Sequence, residues 1–382
     1  MLRRLPLECL LLGDENGVTA SEYARRVDDL RRPSTPIAAW PHVLLLQAYR
    51  ELGESLLGPE ILKDTEYVRN AQACVAATGH YFGARTDDEI LAIAKSFLQW
   101  ASGAEAPARG PSGSPVGAPV RVRPIRRSDY FQVVDGHHRL AISYMAGHRD
   151  ALVAVDRKPV WTPLQHVLRD MSWLEGRLEL YQPVEAPELR RDWVLVRQCS
   201  DRMAKMSDFL ADRDLLPPAT STYLDVACCY GWFLAGMGRL GFDARGIERD
   251  PLARVIGRSA YSLDPARISV GDCVDLLDGT AQYDVVSCFS LLHHFVLGRA
   301  SISAERLASL LDAATARVLF LDTGQAHEEW FASELEAWDV DFIKSWLREN
   351  TTFREIVTLG PDSDGVGRFS GQYGRMLFAC VR

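Results

Sequence analysis

From residue 222 onward the chain alternates short apolar strands with amphipathic helices, and this period most restricts what it can fold into. The candidate strands are YLDVA (223–227), ARGIE (244–248), RISVGD (267–272), YDVVSCFS (283–290) and RVLFLD (317–322). A helical stretch, FASELEAWDVDFIKSWLREN (331–350), then leads to FREIVTLG (353–360) and RMLFACV (375–381). A strand followed by a helix and a further strand is the crossover unit of parallel sheets, and that crossover is almost always right-handed. Five such units and a closing strand pair predict an α/β domain: a Rossmann-like, seven-stranded, mainly parallel sheet with antiparallel strands at its end.

In such a sheet, ligands sit outside the carboxyl ends of the strands, beginning with the first. Here that strand ends at Asp225, and the turn that follows reads Ala227, Cys228, Cys229, Tyr230, Gly231. Small residues let backbone approach a ligand closely, and Ala227, Gly231 and in part Cys229 meet that need. The second strand ends in Glu248, about twenty residues on, where a carboxylate suits ribose hydroxyls. Gly271 and Asp272 close the third strand with a group suited to an adenine amino group. The fourth leaves Ser290, His293 and His294 near the same edge. Two readings are open at this point, a cofactor loop with substituted glycines or an architectural βαβ unit.

The order and spacing of these elements resemble a class I S-adenosylmethionine-dependent methyltransferase over residues 217–382. That family's first motif, D-x-G-x-G-x-G, matches Asp225-Val-Ala227-Cys-Cys229-Tyr-Gly231. Its second-strand acid matches Glu248, its third-strand motif Gly271-Asp272, and its fourth-strand motif YDVVSCFSLLHHF. The resemblance implies S-adenosyl-L-methionine as cofactor, held by Asp225, Ala227, Cys229, Gly231, Glu248, Asp272 and Ser290, with no metal ligands. Ala227 and Cys229 depart from the glycine pattern. Alanine is mild there if its φ is negative, and the Cys229 side chain must turn away from the methionine moiety. A base is needed only for an acceptor that loses a proton, and His293 and His294 are the candidates. His327 or Glu328 in TGQAHEEWF would lie over an acceptor pocket, and the polar, glycine-rich loop 362–375 would cover it.

The N-terminal half reads differently. Residues 20–105 have helical apolar spacing, with Ser21 and either Thr86 or Asp87 as N-caps. SGAEAPARGPSGSPVGAP (102–119) is a loop or linker, and short strands follow: VRVRPI, YFQVV and ALVAV. Between the last two lies FQVVDGHHRLAISYMAGH, in which Asp135-Gly136 is a tight turn and His137, His138 and Arg139 open a helix. A helix N-terminus carrying Arg and two imidazoles is a candidate phosphate cradle. Residues 119–156 resemble the ParB/sulfiredoxin-like fold, an α+β architecture, and the D-G-H-H-R form is similar to its small-molecule kinase branch. That resemblance implies ATP or ADP with magnesium bound by Asp135, Gly136, His137, His138 and Arg139. The branch also uses a glutamate from an earlier strand; among Glu8, Glu51, Glu54, Glu60 and Glu66 none stands out. Kinase, phosphate-recognition module and assembly domain are the three readings.

The expected division is a helical region 1–105, a ParB/sulfiredoxin-like domain 106–165, a helical connector 166–216 and a methyltransferase domain 217–382. Within the connector, PELRRDWVLVRQCSDRMAKMSDFLADR (187–213) is expected to be an amphipathic helix. With 43 basic against 51 acidic residues and a net charge of −8, the chain is not suited to be a dedicated nucleic-acid binder. The opening MLRRLPLECLLLG superficially resembles a leader, but Glu8 interrupts its apolar run and no A-x-A site follows. It reads as a strand or short helix of a cytoplasmic protein, and no run is long enough to span a membrane. The eight cysteines show no C-x-x-C spacing, so neither a zinc site nor a disulfide framework is indicated; Cys228 and Cys229 read as small buried thiols. Together these features describe a methyltransferase acting on a small-molecule or glycan acceptor, phosphorylated or not, beside a phosphate- or nucleotide-binding domain. The alternatives are a bifunctional kinase-methyltransferase, a kinase with a non-catalytic methyltransferase-like domain, a cofactor-sensing scaffold, and a nucleic-acid methyltransferase, which the net charge of −8 disfavours. Oligomeric state is left open.

Overall fold

The computed structural model describes residues 1–15, 29–103, 117–171, 177–216, 221–331, 334–371 and 373–382. Two compact units account for them: Met1–Leu168 with Glu185–Asp192, and Arg169–Val184 with Trp193–Arg382. The expected boundary at 105/106 therefore falls inside the first unit, and that at 216/217 inside the second. No helix among the described residues is long and apolar enough to cross a membrane.

The first unit is built on a five-stranded sheet of order β1-β5-β3-β4-β2. Its strands are β1 (Leu2–Pro6), β2 (Leu10–Leu11), β3 (Val120–Pro124), β4 (Phe131–Asp135) and β5 (Asp150–Val155). The first eleven residues thus supply both edges of the sheet, β1 antiparallel to β5 and β2 parallel to β4. Helices Pro41–Leu52, Glu66–Thr78 and Asp87–Ala101 share one apolar core with the sheet and the helix His137–Met145. Of the two N-caps expected for the third helix, Thr86 fills the role: it accepts the Glu89 N–H at 3.4 Å and Glu89 returns a bond to the Thr86 N–H at 3.1 Å. Ser21 and most of the 102–119 linker lie outside the described residues.

The second unit carries the seven-stranded mixed sheet expected from the alternation, in the order β10-β9-β8-β11-β12-β14-β13. Its strands are β8 (Thr222–Val226), β9 (Asp243–Glu248), β10 (Ile268–Val270), β11 (Tyr283–Cys288), β12 (Thr315–Leu321), β13 (Glu355–Pro361) and β14 (Met376–Val381). The first five run parallel, and β14 is antiparallel to both β12 and β13. Residues two apart along a strand face the same side. Leu224, Val226, Val286, Leu319 and Leu321 accordingly join one apolar cluster, and Tyr223, Val285, Val318 and Phe320 the other. A strand buried on both faces needs a near-continuous apolar run, which is what β8, β11 and β12 have.

Two expected helices are shorter than their periodicity implied. In 187–213 only Ser200–Asp212 is α-helical; Pro187–Leu189 is a 3-10 turn, and the bulky run Trp193–Val196 goes extended, with β7 (Val194–Leu195) paired to β6 (Glu179–Leu180). β-Branched and aromatic side chains favour that extended backbone. In 331–350 the helix begins only at Val340, where the Asp339 carboxylate accepts the Phe342 N–H at 2.8 Å.

Candidate active site around the loop after the first parallel strand

The loop after β8 runs Ala227 to Gly231 and opens the helix Trp232–Arg239. Ala227 has φ +61°, Cys229 +53° and Gly231 +87°. All three glycine positions of the D-x-G-x-G-x-G pattern therefore take the left-handed backbone natural to glycine, two of them with a side chain. The condition under which alanine would be mild, a negative φ at Ala227, is not met: the backbone has the glycine geometry and carries the strain. Left-handed backbone costs a non-glycine residue about 1–2 kcal/mol, and such strain persists where the surroundings over-determine it. The surroundings do so here. Cys228 donates its N–H to the Ile247 carbonyl at 3.0 Å, and Gly231 donates to the Cys228 carbonyl at 2.9 Å. Cys229 donates its N–H to Glu248 Oε2 at 2.9 Å. Two glycines outside the loop let it sit this close. A Cβ on Gly246 would come within 2.6 Å of the Cys228 sulfur, and one on Gly257 within 2.7 Å of the Tyr230 carbonyl oxygen.

Glu248 ends β9 and accepts three main-chain N–H groups: Cys229 on Oε2, and Arg249 (2.7 Å) and Asp250 (3.2 Å) on Oε1. Burial raises its pKa, opposed by those three bonds. A carboxylate has about four acceptor positions, so Glu248 keeps capacity for a further donor such as a ribose hydroxyl. Asp272 is exposed and caps the short helix after β10, accepting the Val274 N–H at 2.9 Å. Asp225 is placed differently from the cofactor-facing role implied for it. It is 2% exposed on the Tyr223 face of the sheet, and its Oδ1 accepts the Ser287 hydroxyl at 2.6 Å. Burial pushes its carboxyl up to about 7. This acid braces β8 against β11 from inside.

Ser290 also has a left-handed φ, +56°, and its hydroxyl joins a buried ionic network. Arg197 Nη1 and Arg375 Nη1 both donate to Ser290 Oγ at 2.9 Å. Arg197 also reaches Asp362 (2.7 Å), Arg202 pairs with Asp364 (2.8 Å) and Asp322 (3.1 Å), and Arg375 grips Glu328 through two bonds of 2.9 and 2.8 Å. The Ser290 N–H donates to Asp322 at 2.6 Å. The network gathers the ends of β11, β12 and β13 with the start of β14, and no sequence motif announced it. The one available signal was a charged Arg197 directly after the apolar run WVLV. Glu328 therefore faces inward onto Arg375, not over an open pocket, while His327 is exposed and donates from Nε2 to the Tyr373 carbonyl at 2.9 Å.

Of the histidine pair, His293 is buried and its Nδ1 accepts the Gly324 N–H at 3.2 Å, which puts the ring proton on Nε2. Burial, with Arg375 nearby, pushes its pKa down to about 2. A group that weakly basic is a poor proton acceptor at neutral pH, so His293 is corrected from candidate base to packing residue. His294 is exposed, with its ring 4.3 Å from that of His293 and a pKa lowered chiefly by desolvation.

No family model matches this chain, and no curated protein matches it. Among solved structures, the chain is similar to WbdD, described as a bifunctional kinase-methyltransferase. The 2.2 Å WbdD structure is 18% identical at a TM-score of 0.44, covering 57% of this chain and 46% of that one. It is also similar to magnesium protoporphyrin IX methyltransferase from Synechocystis PCC 6803 with bound SAH (16% identity, TM-score 0.36, 47% of this chain and 82% of that one). A third is the methyltransferase domain of bacterial CtHen1 (12% identity, TM-score 0.35, 48% and 98%). The chain thus spans a little under half the length of WbdD. With these TM-scores below 0.5, the chemistry of the site is read from its own residues.

In the first unit, the D-G-H-H-R motif has the turn expected of it but not the exposure. Gly136 takes φ +106°, and a Cβ there would meet Val120 Cγ2 at 2.7 Å. His137 and His138 are 2% and 4% exposed. His137 donates from Nε2 to the Leu12 carbonyl at 2.7 Å, and His138 shares a 2.8 Å hydrogen bond with the Tyr67 hydroxyl. The His138 ring lies 4.5 Å from Phe97 and 4.6 Å from His42. Desolvation lowers His138 to about 3 and His42 well below its usual value. The expectation of two imidazoles lending positive charge to a phosphate cradle is therefore corrected for His138, which is neutral in an aromatic core. Arg139 pairs with Asp135 at 3.3 Å and donates to the Ala118 carbonyl. The acidic residue that sequence reasoning passed over is Glu15, 4% exposed, whose two oxygens accept from the Asn70 amide at 3.1 and 3.3 Å.

Proposed function

We propose that the second unit is an S-adenosylmethionine-dependent methyltransferase acting on a small-molecule or glycan acceptor. The observation that carries the reading is the left-handed turn Ala227–Cys229–Gly231 closing onto Glu248 at the carboxyl edge of the central strand. Strain of this kind collects at functional sites, and an architectural crossover has no need of it. Glu248, Cys229 and Gly231 would hold the cofactor, with Asp272 at the adenine end. When bound, the cofactor supplies an electrophilic methyl group on a sulfonium.

Transfer is then an in-line displacement, for which the chain contributes position and exclusion of water. The network of Arg197, Arg375, Asp322 and Glu328 fixes the ends of β11, β12 and β14, so the acceptor meets a rigid wall. His294, exposed beside that wall, is the candidate to take a proton from an acceptor hydroxyl; a phosphate acceptor, already ionised, needs no base. For the D-G-H-H-R domain, burial of His137 and His138 favours an architectural role over nucleotide binding with magnesium, and a phosphate on the acceptor draws no support from it.

Thermal melting with S-adenosylhomocysteine tests the cofactor. A ligand at a hundred times its dissociation constant stabilises by about 2.7 kcal/mol. A shift that disappears in Glu248→Ala supports the reading, and no shift in the wild-type chain overturns it. Melts with ATP, ADP and magnesium are expected to show no shift; one that Arg139→Ala removes would reinstate a nucleotide site.

A further inference from the structure

The loop after β8 is gripped from outside the sheet by one side chain. Gln182 lies in the segment Arg169–Val184, which belongs to the second unit although it precedes the alternating strands by some forty residues of chain. It is 4% exposed. Its amide oxygen accepts the N–H groups of Tyr230 (3.1 Å) and Trp232 (3.2 Å), and its amide nitrogen donates to the Cys228 carbonyl at 3.2 Å. The next residue is held as well: the Tyr261 hydroxyl donates to the Pro183 carbonyl at 2.6 Å. The carboxamide therefore spans Cys229, the residue whose side chain makes its left-handed backbone unfavourable, and bonds the peptides on either side of it.

We infer that Gln182 is a positioning residue for cofactor binding, holding the loop in the glycine geometry that its own sequence no longer favours. The inference rests on the cofactor reading above. Glutamine suits the task because one planar group both donates and accepts; Glu lacks the donor and Met lacks both. A loop with glycine at 229 would need this clasp less. The segment 177–184 is then part of the cofactor site, and a methyltransferase domain counted from residue 217 omits one of its supports.

Isothermal titration of the full chain with S-adenosylhomocysteine tests this in a double-mutant cycle. Gln182→Met is expected to weaken binding at least tenfold. In the Cys229→Gly background the same change is expected to cost less than threefold, and Gln182→Glu, keeping two of the three bonds, should fall between. An equal penalty in both backgrounds, or none in either, overturns the clasp. Hydrogen exchange of the unliganded chain reads the clasp without cofactor: the Tyr230 and Trp232 amides should exchange faster in Gln182→Met, and unchanged exchange overturns it. A wild-type chain with no measurable binding but a normal exchange response would overturn the cofactor reading and leave the clasp standing.

Discussion

The main-chain amide of Cys229 donates to the carboxylate of Glu248 at 2.9 Å, joining the turn after β8 to the end of β9. This bond fixes a left-handed residue against an acid that keeps acceptor capacity for a further donor. Replacing Glu248 by Gln keeps the size but removes the charge and part of the acceptor capacity. S-adenosylhomocysteine affinity is expected to fall about tenfold or more, roughly 1.4 kcal/mol, and the free chain to melt lower, because the amide NH2 of Gln faces a main-chain N–H whose bond the carboxylate accepted. Titration calorimetry and a melt of the same sample check both.

Position 229 separates strain from side-chain chemistry. Cys229→Gly relieves a left-handed side chain at φ +53° but adds freedom to the unfolded chain. The two effects are each on the order of 1 kcal/mol and oppose one another, so denaturant midpoints should barely move. Cys229→Val, with a branched Cβ that left-handed backbone tolerates poorly, should destabilise the second unit and abolish cofactor binding.

Gly246 is expected to be intolerant for a packing reason. A Cβ there meets Cys228 Sγ at 2.6 Å and Cys228 Cβ at 3.0 Å, so Gly246→Ala must push the loop off β9. Overpacking of this kind costs about 1–3 kcal/mol. Denaturant unfolding should show that loss, and S-adenosylhomocysteine affinity should drop with it.

The buried network should respond to removal of one charge more than to removal of a pair. Arg202 is 1% exposed and serves both Asp322 and Asp364. Arg202→Met leaves both acids without it, a loss of about 3–5 kcal/mol by analogy with other broken buried pairs. Chemical denaturation of the second unit measures it.

Acid stability of the first unit should follow its buried imidazoles. His138 titrates near 3 in the folded chain against 6.5 as its ordinary value, so the unfolded state takes up the proton first. Stability from this group is present above about pH 6.5 and is lost progressively as pH falls towards 3. His42 is shifted in the same direction and adds to the loss. Urea midpoints between pH 7.5 and 4.5 should decline, and less steeply in His138→Phe, which has no proton to bind.

The sequence alone determined the seven-stranded sheet of the second unit, because a buried parallel strand needs an apolar run that cannot be mistaken for a polar loop. It also marked the turn after β8 and the acid at Glu248, since their spacing is set by the length of one strand-helix-strand unit. Tertiary structure decided what those residues face. Asp225 reads as a cofactor residue by its motif position, yet strand alternation turns it onto Ser287 inside the sheet. His137 and His138 read as a charged helix start, yet the helices of residues 41–101 close over them and desolvation keeps His138 neutral. Gln182 carries no local signal and the arginine network only a charged Arg197 after an apolar run, because their partners lie from about 30 to 165 residues away in sequence. Local propensity fixes where a strand or turn forms; only the packed chain fixes which distant group comes to meet it.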